Sequence, residues 1–342
     1  MNPFIYYEPV RGTDFYNREE EIEKILKATV LGSARGNIWI TGERQVGKSS
    51  LLINFQLKYS DYSQEIKLYK GEQNYKVAFV YTNVQDCFSV EDFYLNLRQS
   101  LKNHFDYKIR NVRGAYESFI HVLKHLHFEK HFFIVFLIDE FDALIENLAH
   151  KNPLNAAEFI SKLNLLLEGL SSDLKGSKAF TCVFAANHTI DELMRENAIP
   201  RHGSGLVIKE TIELPWFSKK HLEGISKRYL SHSRVAFTTQ DIDFVYKLAK
   251  GYPYFSQKIF SLLYDYKRQT DEARMNYKLV KEEFGKDFEA TIRTWGAENM
   301  PRRTYSKLRV LAEKMSLGQH ITKLVFNTLE NYAKNPSAII PK

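Results

Sequence analysis

One stretch constrains this chain more than any other: Asn37-Ile-Trp-Ile-Thr-Gly42-Glu43-Arg44-Gln45-Val46-Gly47-Lys48-Ser49-Ser50-Leu-Leu. An apolar run, Ile38 to Ile40, leads into Gly42. Four residues pass, Gly47-Lys48-Ser49 follows, and an apolar helical pattern begins. This is the P-loop pattern G-x-x-x-x-G-K-[ST] between a strand and a helix. The spacing has a chemical reason. Glycines let the backbone turn tightly, so that successive N–H groups from Gly42 to Ser50 can point at phosphate oxygens. The helix that opens near Lys48 adds its positive dipole end. Lys48 can reach the β- and γ-phosphates, and the Ser49 hydroxyl can ligate Mg²⁺. The stretch therefore predicts a nucleotide-phosphate site at the end of a strand.

A second landmark lies well downstream. Phe132-Phe-Ile-Val-Phe-Leu-Ile138 is unbroken apolar sequence ending in Asp139-Glu140. Continuous hydrophobicity marks a strand buried on both faces, as in a parallel sheet. Ligands of open α/β sheets bind beyond the carboxyl ends of the strands, where this acidic pair falls. Asp139 is the expected second Mg²⁺ ligand, and Glu140 the group that polarises the attacking water. Lys178 to Asn187 forms a further apolar run with a polar tip. Asn187 can orient water beside a γ-phosphate, or it can cap the next helix.

At 342 residues the chain exceeds one ordinary core and predicts two or three domains. Runs at 38–40, 77–82, 132–138, 178–187 and 206–214 predict five strands, with Pro215 ending the last. From Ser218 the pattern is helical. Ser218 can cap 219–230, Thr239 can cap 240–250, and Gly251-Tyr252-Pro253 breaks the chain before 254–268. Residues 57–76 interleave Lys58, Lys67, Lys70 and Lys76 with Tyr59, Tyr62, Tyr69 and Tyr75, an exposed hairpin or a stacking surface for single-stranded nucleic acid. Among His121, His125, His127 and His131, the first two share a helical face at i, i+4, which invites a metal reading, but neither lies in an H-E-x-x-H frame and no carboxylate or cysteine completes a set.

Cys87 and Cys182 provide neither a disulfide framework nor metal-ligand spacing, which fits a reducing cytoplasm. No apolar run approaches the ~18 residues of a membrane span, and the N-terminal residues lack a signal-peptide core, so a cytoplasmic protein without membrane contact is expected. The net charge of +7 is concentrated at one end. Residues 291–342 hold nine basic side chains against three acidic ones, nearly the whole excess. Arg302, Arg303, Lys307 and Arg309 lie close together at an expected helix start, and Arg303, Lys307 and Lys314 could form one basic helical face. Such a face either binds double-stranded DNA or is simply solvated.

Taken together, the motifs resemble the STAND-type P-loop ATPases, in particular the archaeal-ATPase-like clade, with kinship to AAA+ proteins. The residues that carry the resemblance are Asn2-Pro3-Phe4, Pro9-Val10, Phe15-x-x-Arg18-Glu19-x-Glu21, Arg44, Ser50-Leu51-Leu52, Val84-Gln85-Asp86, Leu137-Ile-Asp139-Glu140-Phe-Asp142-x-Leu144 and Gly251-Tyr-Pro253-Tyr-Phe-x-Gln257. They span roughly residues 1–275. The resemblance implies that Arg18 lies near adenine, although Asn17 stands where the family has glycine. It also implies that Pro253 belongs to a lid turn that leans over the nucleotide. The choice of ATP over GTP rests on the resemblance alone. A second segment, Ile199-Pro200-Arg201-His-Gly-Ser-Gly and then Glu213-Leu-Pro, is similar to the arginine-finger region of origin-recognition initiators and transposition regulators. There Arg201 would act across a nucleotide-dependent homo-oligomer.

These readings give an α/β P-loop NTPase of AAA+/STAND type. Its parallel sheet has spatial order 5-1-4-3-2, counting strands along the sequence. A P-loop core over 1–215, a helical lid over 216–290 and a basic helical, winged-helix-like segment over 291–342 are expected. The expected activity is slow, Mg²⁺-dependent ATP hydrolysis that switches a conformation read by an unidentified protein partner. The alternative is an AAA+ regulator that oligomerises on DNA with ATP.

Overall fold

The computed structural model describes residues 2–32, 35–62, 64–67, 73–106, 113–175, 177–200, 205–269 and 276–297, together with Ala312 and Asn327. Arg201 and almost all of the basic C-terminal segment lie outside the described residues. The chain divides into two compact units. One comprises Arg18–Gly42 and Lys48–Leu214; the other comprises Met1–Asn17, Glu43–Gly47 and Pro215–Lys342.

The first unit is an α/β sandwich. In chain order it contains α1 (Glu19–Leu26), β1 (Asn37–Thr41), α2 (Lys48–Lys58), β2 (Glu65–Lys67), β3 (Asn74–Asn83), α3 (Val90–Phe105), α4 (Ala115–Lys124), β4 (Phe132–Asp139), α5 (Phe141–Lys151), α6 (Pro153–Leu167), β5 (Phe180–Ala186), α7 (Ile190–Glu196) and β6 (Ile208–Glu213). The six strands lie in the order β2-β3-β4-β5-β1-β6. The five long strands pair in parallel, in the order expected from the sequence. The 57–76 segment adds β2, antiparallel to β3.

Why β4 is central follows from its residues. Every position from Phe133 to Asp139 is buried, because strands pair on both sides and helices cover both faces. β1 and β5 are likewise buried throughout, whereas β6 at the edge alternates and exposes half its residues. Trp39, Phe141 and Phe184 meet beneath the ends of these strands, the last two with ring centroids 4.5 Å apart. All three belong to the buried core of this unit.

The second unit is helical: α8 (Lys219–Tyr229), α9 (Thr239–Ala249), α10 (Pro253–Gln269) and α11 (Tyr277–Ala297). Ser218 caps α8 as expected, through a capping box with His221. The cap of α9 is Thr238 rather than Thr239. Asp241 then falls three residues on and completes the reciprocal box, which Thr239 cannot form with the residue at its own third position, Ile242. The core is aromatic. Phe4 from the N-terminal segment stacks on Phe237 and Phe260, and Tyr252, Phe255 and Trp295 pack together. At its base Asp241, fully buried, pairs with Lys267 at 2.7 Å and accepts from Tyr277 Oη at 2.8 Å.

Candidate nucleotide site

The strand β1 delivers the chain at Gly42, and α2 begins at Lys48. Gly47 sits at φ +106° and Gln45 at φ +56°. The first demands glycine, and the second is a left-handed conformation that an ordinary side chain adopts only at a cost. These two turns reverse the loop between strand and helix. Lys48 is almost fully buried. Its Nζ donates to Gly42 O at 3.0 Å and to Asn187 Oδ1 at 2.9 Å. The P-loop lysine and the polar tip of β5 are thus in direct contact, 139 residues apart in sequence.

Asp139 closes β4 beside this pair. Its Oδ2 accepts from Tyr81 Oη at 3.0 Å and its Oδ1 from the Glu140 N–H at 3.2 Å. Ser49 also hydrogen-bonds to this carboxylate. Burial raises the Asp139 pKa, and the bonds from Ser49 and Tyr81 with the charge of Lys48 lower it; the net direction is upward. Tyr81, desolvated and facing this anion, is raised as well. A hydroxyl and a carboxylate in contact are hard oxygen donors of the kind Mg²⁺ takes, and they fit that ion. Glu140 follows in a left-handed conformation, φ 56° and ψ 40°. Such a geometry at a non-glycine residue costs on the order of 1–3 kcal/mol and concentrates at functional positions. It turns the chain sharply from β4 into α5 and leaves Glu140 only partly buried.

Asn187 does not cap the following helix. Thr189 does so, through a capping box with Glu192. Instead the Asn187 backbone N–H donates to Asp142 Oδ2 at 2.7 Å, and Trp39 Nε1 donates to His188 O at 2.9 Å. The tip of β5 is fixed from two sides, with its amide oxygen turned to Lys48.

An acidic and imidazole cluster adjoins the tip. His188 Nδ1 lies 3.4 Å from Asp142 Oδ2 and 3.7 Å from Glu146 Oε1, and its Nε2 lies 3.3 Å from Glu196 Oε2. Burial alone would lower the His188 pKa, but the three carboxylates raise it. Burial pushes Glu146 up to about 7, with the charge of Asp142 adding to the rise. Asp142 itself is held low by His188 in spite of its burial. Sequence reasoning missed His188, Glu146 and Glu196. The available signal was Asp142 and Glu146 at i, i+4 on α5. Nothing in the sequence brings residues 188 and 196 to them. The histidines at 125, 127 and 131 serve locally. His125 faces Glu129 at 2.8 Å, and buried His127 bonds Phe132 O and stacks on Tyr75.

In the helical unit, the phosphate-loop segment Glu43–Gly47 meets aromatic side chains. Trp216 Nε1 donates to Glu43 Oε2 at 3.0 Å, and Tyr252 Oη donates to Arg44 O. Gly251 at φ +86° is obligatory, since a Cβ there would meet Phe217 O at 1.8 Å. Pro253 is buried at the start of α10. Asn17, at φ 57°, occupies the left-handed region that glycine favours and asparagine tolerates. Its amide contacts His221 Nδ1 at 2.9 Å. Arg18 is buried, with Nη1 3.4 Å from Glu21 Oε1, and burial lowers its pKa.

Residues 31–194 match the family model described as an AAA domain. Among solved structures, the Aeropyrum pernix ORC2 protein in ADPNP–ADP complexes aligns over 97% of this chain and 98% of its own, at 13% identity and TM-score 0.58. A Walker-type ATPase of Pyrococcus abyssi aligns over 99% and 89%, at 14% identity and TM-score 0.60. The fold is that of an AAA+ P-loop NTPase. The Aeropyrum pernix ORC1 protein in complex with DNA shares it over 98% of this chain and 80% of its own, at 15% identity and TM-score 0.52. No curated protein matches the chain. No helix among the described residues is long and apolar enough to cross a membrane.

Proposed function

We propose that this AAA+ chain binds and hydrolyses ATP and acts on double-stranded DNA, with the nucleotide state setting how copies assemble on it. The observation that carries the nucleotide part is the contact set Lys48–Asn187, Ser49–Asp139 and Glu140 at the ends of three parallel strands. In this reading the loop amides and Lys48 bind the β- and γ-phosphates. Ser49 and Asp139 would hold Mg²⁺, which when bound neutralises phosphate charge. Glu140 accepts the proton of the attacking water, Asn187 fixes the direction of attack, and Arg201 stabilises the γ-phosphate of a neighbouring copy.

The DNA part is supported by the charge excess of residues 291–342 and by the likeness, along almost the whole chain, to proteins named for origin recognition, one of them in complex with DNA. Fluorescence anisotropy of the full chain on duplex DNA, with ATP and with ADP, tests it. Binding should be largely sequence-independent, and each phosphate contact should add roughly −0.9 to the slope of log affinity against log salt. Absence of binding at low salt in both nucleotide states overturns it.

A second reading, a STAND-class switch acting through a protein partner, is favoured by one observation. The Gly251-Tyr252-Pro253 turn bonds the phosphate loop itself, through Tyr252 and Arg44 O. Under this reading the ATP-bound chain stays monomeric in mass photometry whether or not DNA is present, and its nucleotide state alters capture by a partner. Under the first, DNA with ATP yields higher assemblies.

A further inference from the structure

We propose that Asp142, Glu146 and His188 form a binding site for a zinc-class divalent metal ion, with Glu196 holding the imidazole from its other nitrogen. The three offer ligand atoms that all lie within 4.8 Å of one another. They come from a helix and a loop: Asp142 and Glu146 one turn apart on α5, and His188 between β5 and α7.

Four features distinguish this arrangement from a chance acidic cluster. The first is spacing. Ligands at ~2.0–2.2 Å from a tetrahedral metal stand ~3.3–3.6 Å from each other. The Nδ1 to Asp142 separation of 3.4 Å falls on such an edge, and Nδ1 to Glu146, at 3.7 Å, is just above it. A charge-assisted hydrogen bond would close to ~2.7–2.9 Å. The second is the division of the ring. Nδ1 faces the two carboxylates, while Nε2 lies 3.3 Å from Glu196 Oε2. A metal-bound histidine almost always gives its second N–H to a carboxylate, a backbone carbonyl or water, which fixes the tautomer, and Glu196 is such a partner. The third is an unused acceptor. Asp142 is 2% exposed, and its Oδ1 is buried with no hydrogen-bond partner among the described residues. A buried carboxylate oxygen without a donor costs several kcal/mol unless a cation or water meets it. The fourth is the charge balance. Three carboxylates surround one imidazole, so a dication would leave a net charge of −1 where a single proton leaves −2. Imidazole with carboxylates suits zinc and its neighbours better than Mg²⁺, which would keep to the Ser49–Asp139 pair. Three protein ligands leave a fourth position for water or a further side chain.

An ion here would clamp α5 to the tip of β5, because Asp142 also holds the Asn187 backbone N–H at 2.7 Å. The role would be positional, one residue removed from the side chain that contacts Lys48.

The test uses the full chain, stripped of metal and nucleotide by chelator dialysis, titrated with Zn²⁺ alone by calorimetry and with Co²⁺ alone by visible absorption. One equivalent should bind, with cobalt bands of a tetrahedral nitrogen–oxygen site and a raised thermal midpoint. Glu146→Gln and His188→Gln should each lose the binding while keeping the wild-type circular dichroism spectrum. Glu196→Gln should weaken it by about tenfold or more, the usual effect of removing a ligand's supporting partner. Ser49→Ala should leave it unchanged. The proposal is overturned if no saturable Zn²⁺ or Co²⁺ binding is found. It is equally overturned if binding persists in both ligand variants, or if it disappears with Ser49→Ala.

Discussion

Asn187→Ala separates two roles that the site gives one side chain. The substitution removes the acceptor that lies 2.9 Å from Lys48 Nζ, yet keeps the backbone N–H that Asp142 holds at 2.7 Å. The strand tip should therefore stay in place, pinned also by Trp39. A hydrogen bond to a charged group contributes about 1.5–3 kcal/mol. Lys48 retains Gly42 O, so the loss of stability without nucleotide should lie toward the lower end of that range. The same bond must be broken or shared when phosphate arrives at Lys48. Its loss should then leave ATP affinity equal to wild type or up to about tenfold tighter, since about 1.4 kcal/mol is tenfold. If Asn187 also orients the attacking water, single-turnover hydrolysis should fall by ~10²-fold. Equilibrium binding of a fluorescent ATP analogue and rapid-quench hydrolysis measure the two effects separately. Affinity and hydrolysis both within about twofold of wild type would refute the assignment. So would a large loss of affinity, because it would mean that Asn187 holds Lys48 in its binding pose.

Lys48→Ala should abolish measurable ATP binding in the same assay, and near wild-type affinity would contradict the P-loop assignment. Glu140→Gln should keep ATP binding and slow single-turnover hydrolysis by ~10²-fold; an unchanged rate would move the base elsewhere, with Asp142 next to be tested. Asp241→Asn should destabilise the helical unit by about 3–5 kcal/mol, because it removes the buried carboxylate that pairs with the Lys267 ammonium. Burial would raise Asp241, but Lys267 and Thr238 hold it below the usual carboxylate value. Its contribution is thus present above the unfolded value of about 3.9 and lost as pH falls through the folded one. The gap in urea midpoint between wild type and the Asp241→Asn variant should shrink on acidification, and a gap independent of pH would count against the pair.

Much of the fold was legible because its strongest signals are local. The run from Phe133 to Asp139 can be satisfied only by burial on both faces, and the P-loop fixes which strand precedes α2. The sheet order then follows from the parallel P-loop topology. The 57–76 segment was half legible. Its alternation of lysine and tyrosine suits an exposed hairpin, but pairing of β2 with β3 depends on β3 being held by β4. The cap of α9 was misplaced by one residue because two threonines adjoin. Only the position of Asp241 three residues beyond Thr238 decides between them. In the site, Lys48, Ser49 and Asp139 announce themselves by motif. His188 does not, since its meaning lies in carboxylates 46 and 42 residues before it and eight after it. Asn17 was legible as a departure from glycine. Its left-handed backbone explains why asparagine can stand there.

The contacts around β5 also say what kind of sensor Asn187 can be. From Lys48 Nζ a bond of 2.9 Å reaches Asn187 Oδ1, and one of 2.7 Å runs from the Asn187 N–H to Asp142 Oδ2. Asp142 in turn faces His188, which Glu196 on α7 holds from the far side. The Asn187 N–H and the His188 carbonyl are both tied to the buried body of the unit, the first through α5 and the second through Trp39. A side chain mounted so rigidly cannot follow the nucleotide by moving its strand. It can respond only by exchanging partners, from the ammonium of Lys48 to whatever the phosphate brings. That exchange alters the charge felt by Asp142, on which Lys48 already acts. In the proposed reading the cluster on α5 and α7 is then linked to occupancy of the P-loop through Asn187 and Asp142. Coupling of this kind is a free-energy difference between two states. It predicts that Zn²⁺ affinity at the cluster, measured in the presence of ATP and in its absence, differs by the same factor as ATP affinity measured with and without Zn²⁺. If ATP leaves Zn²⁺ affinity unchanged within about twofold, the tip of β5 reads the nucleotide without passing the signal to α7.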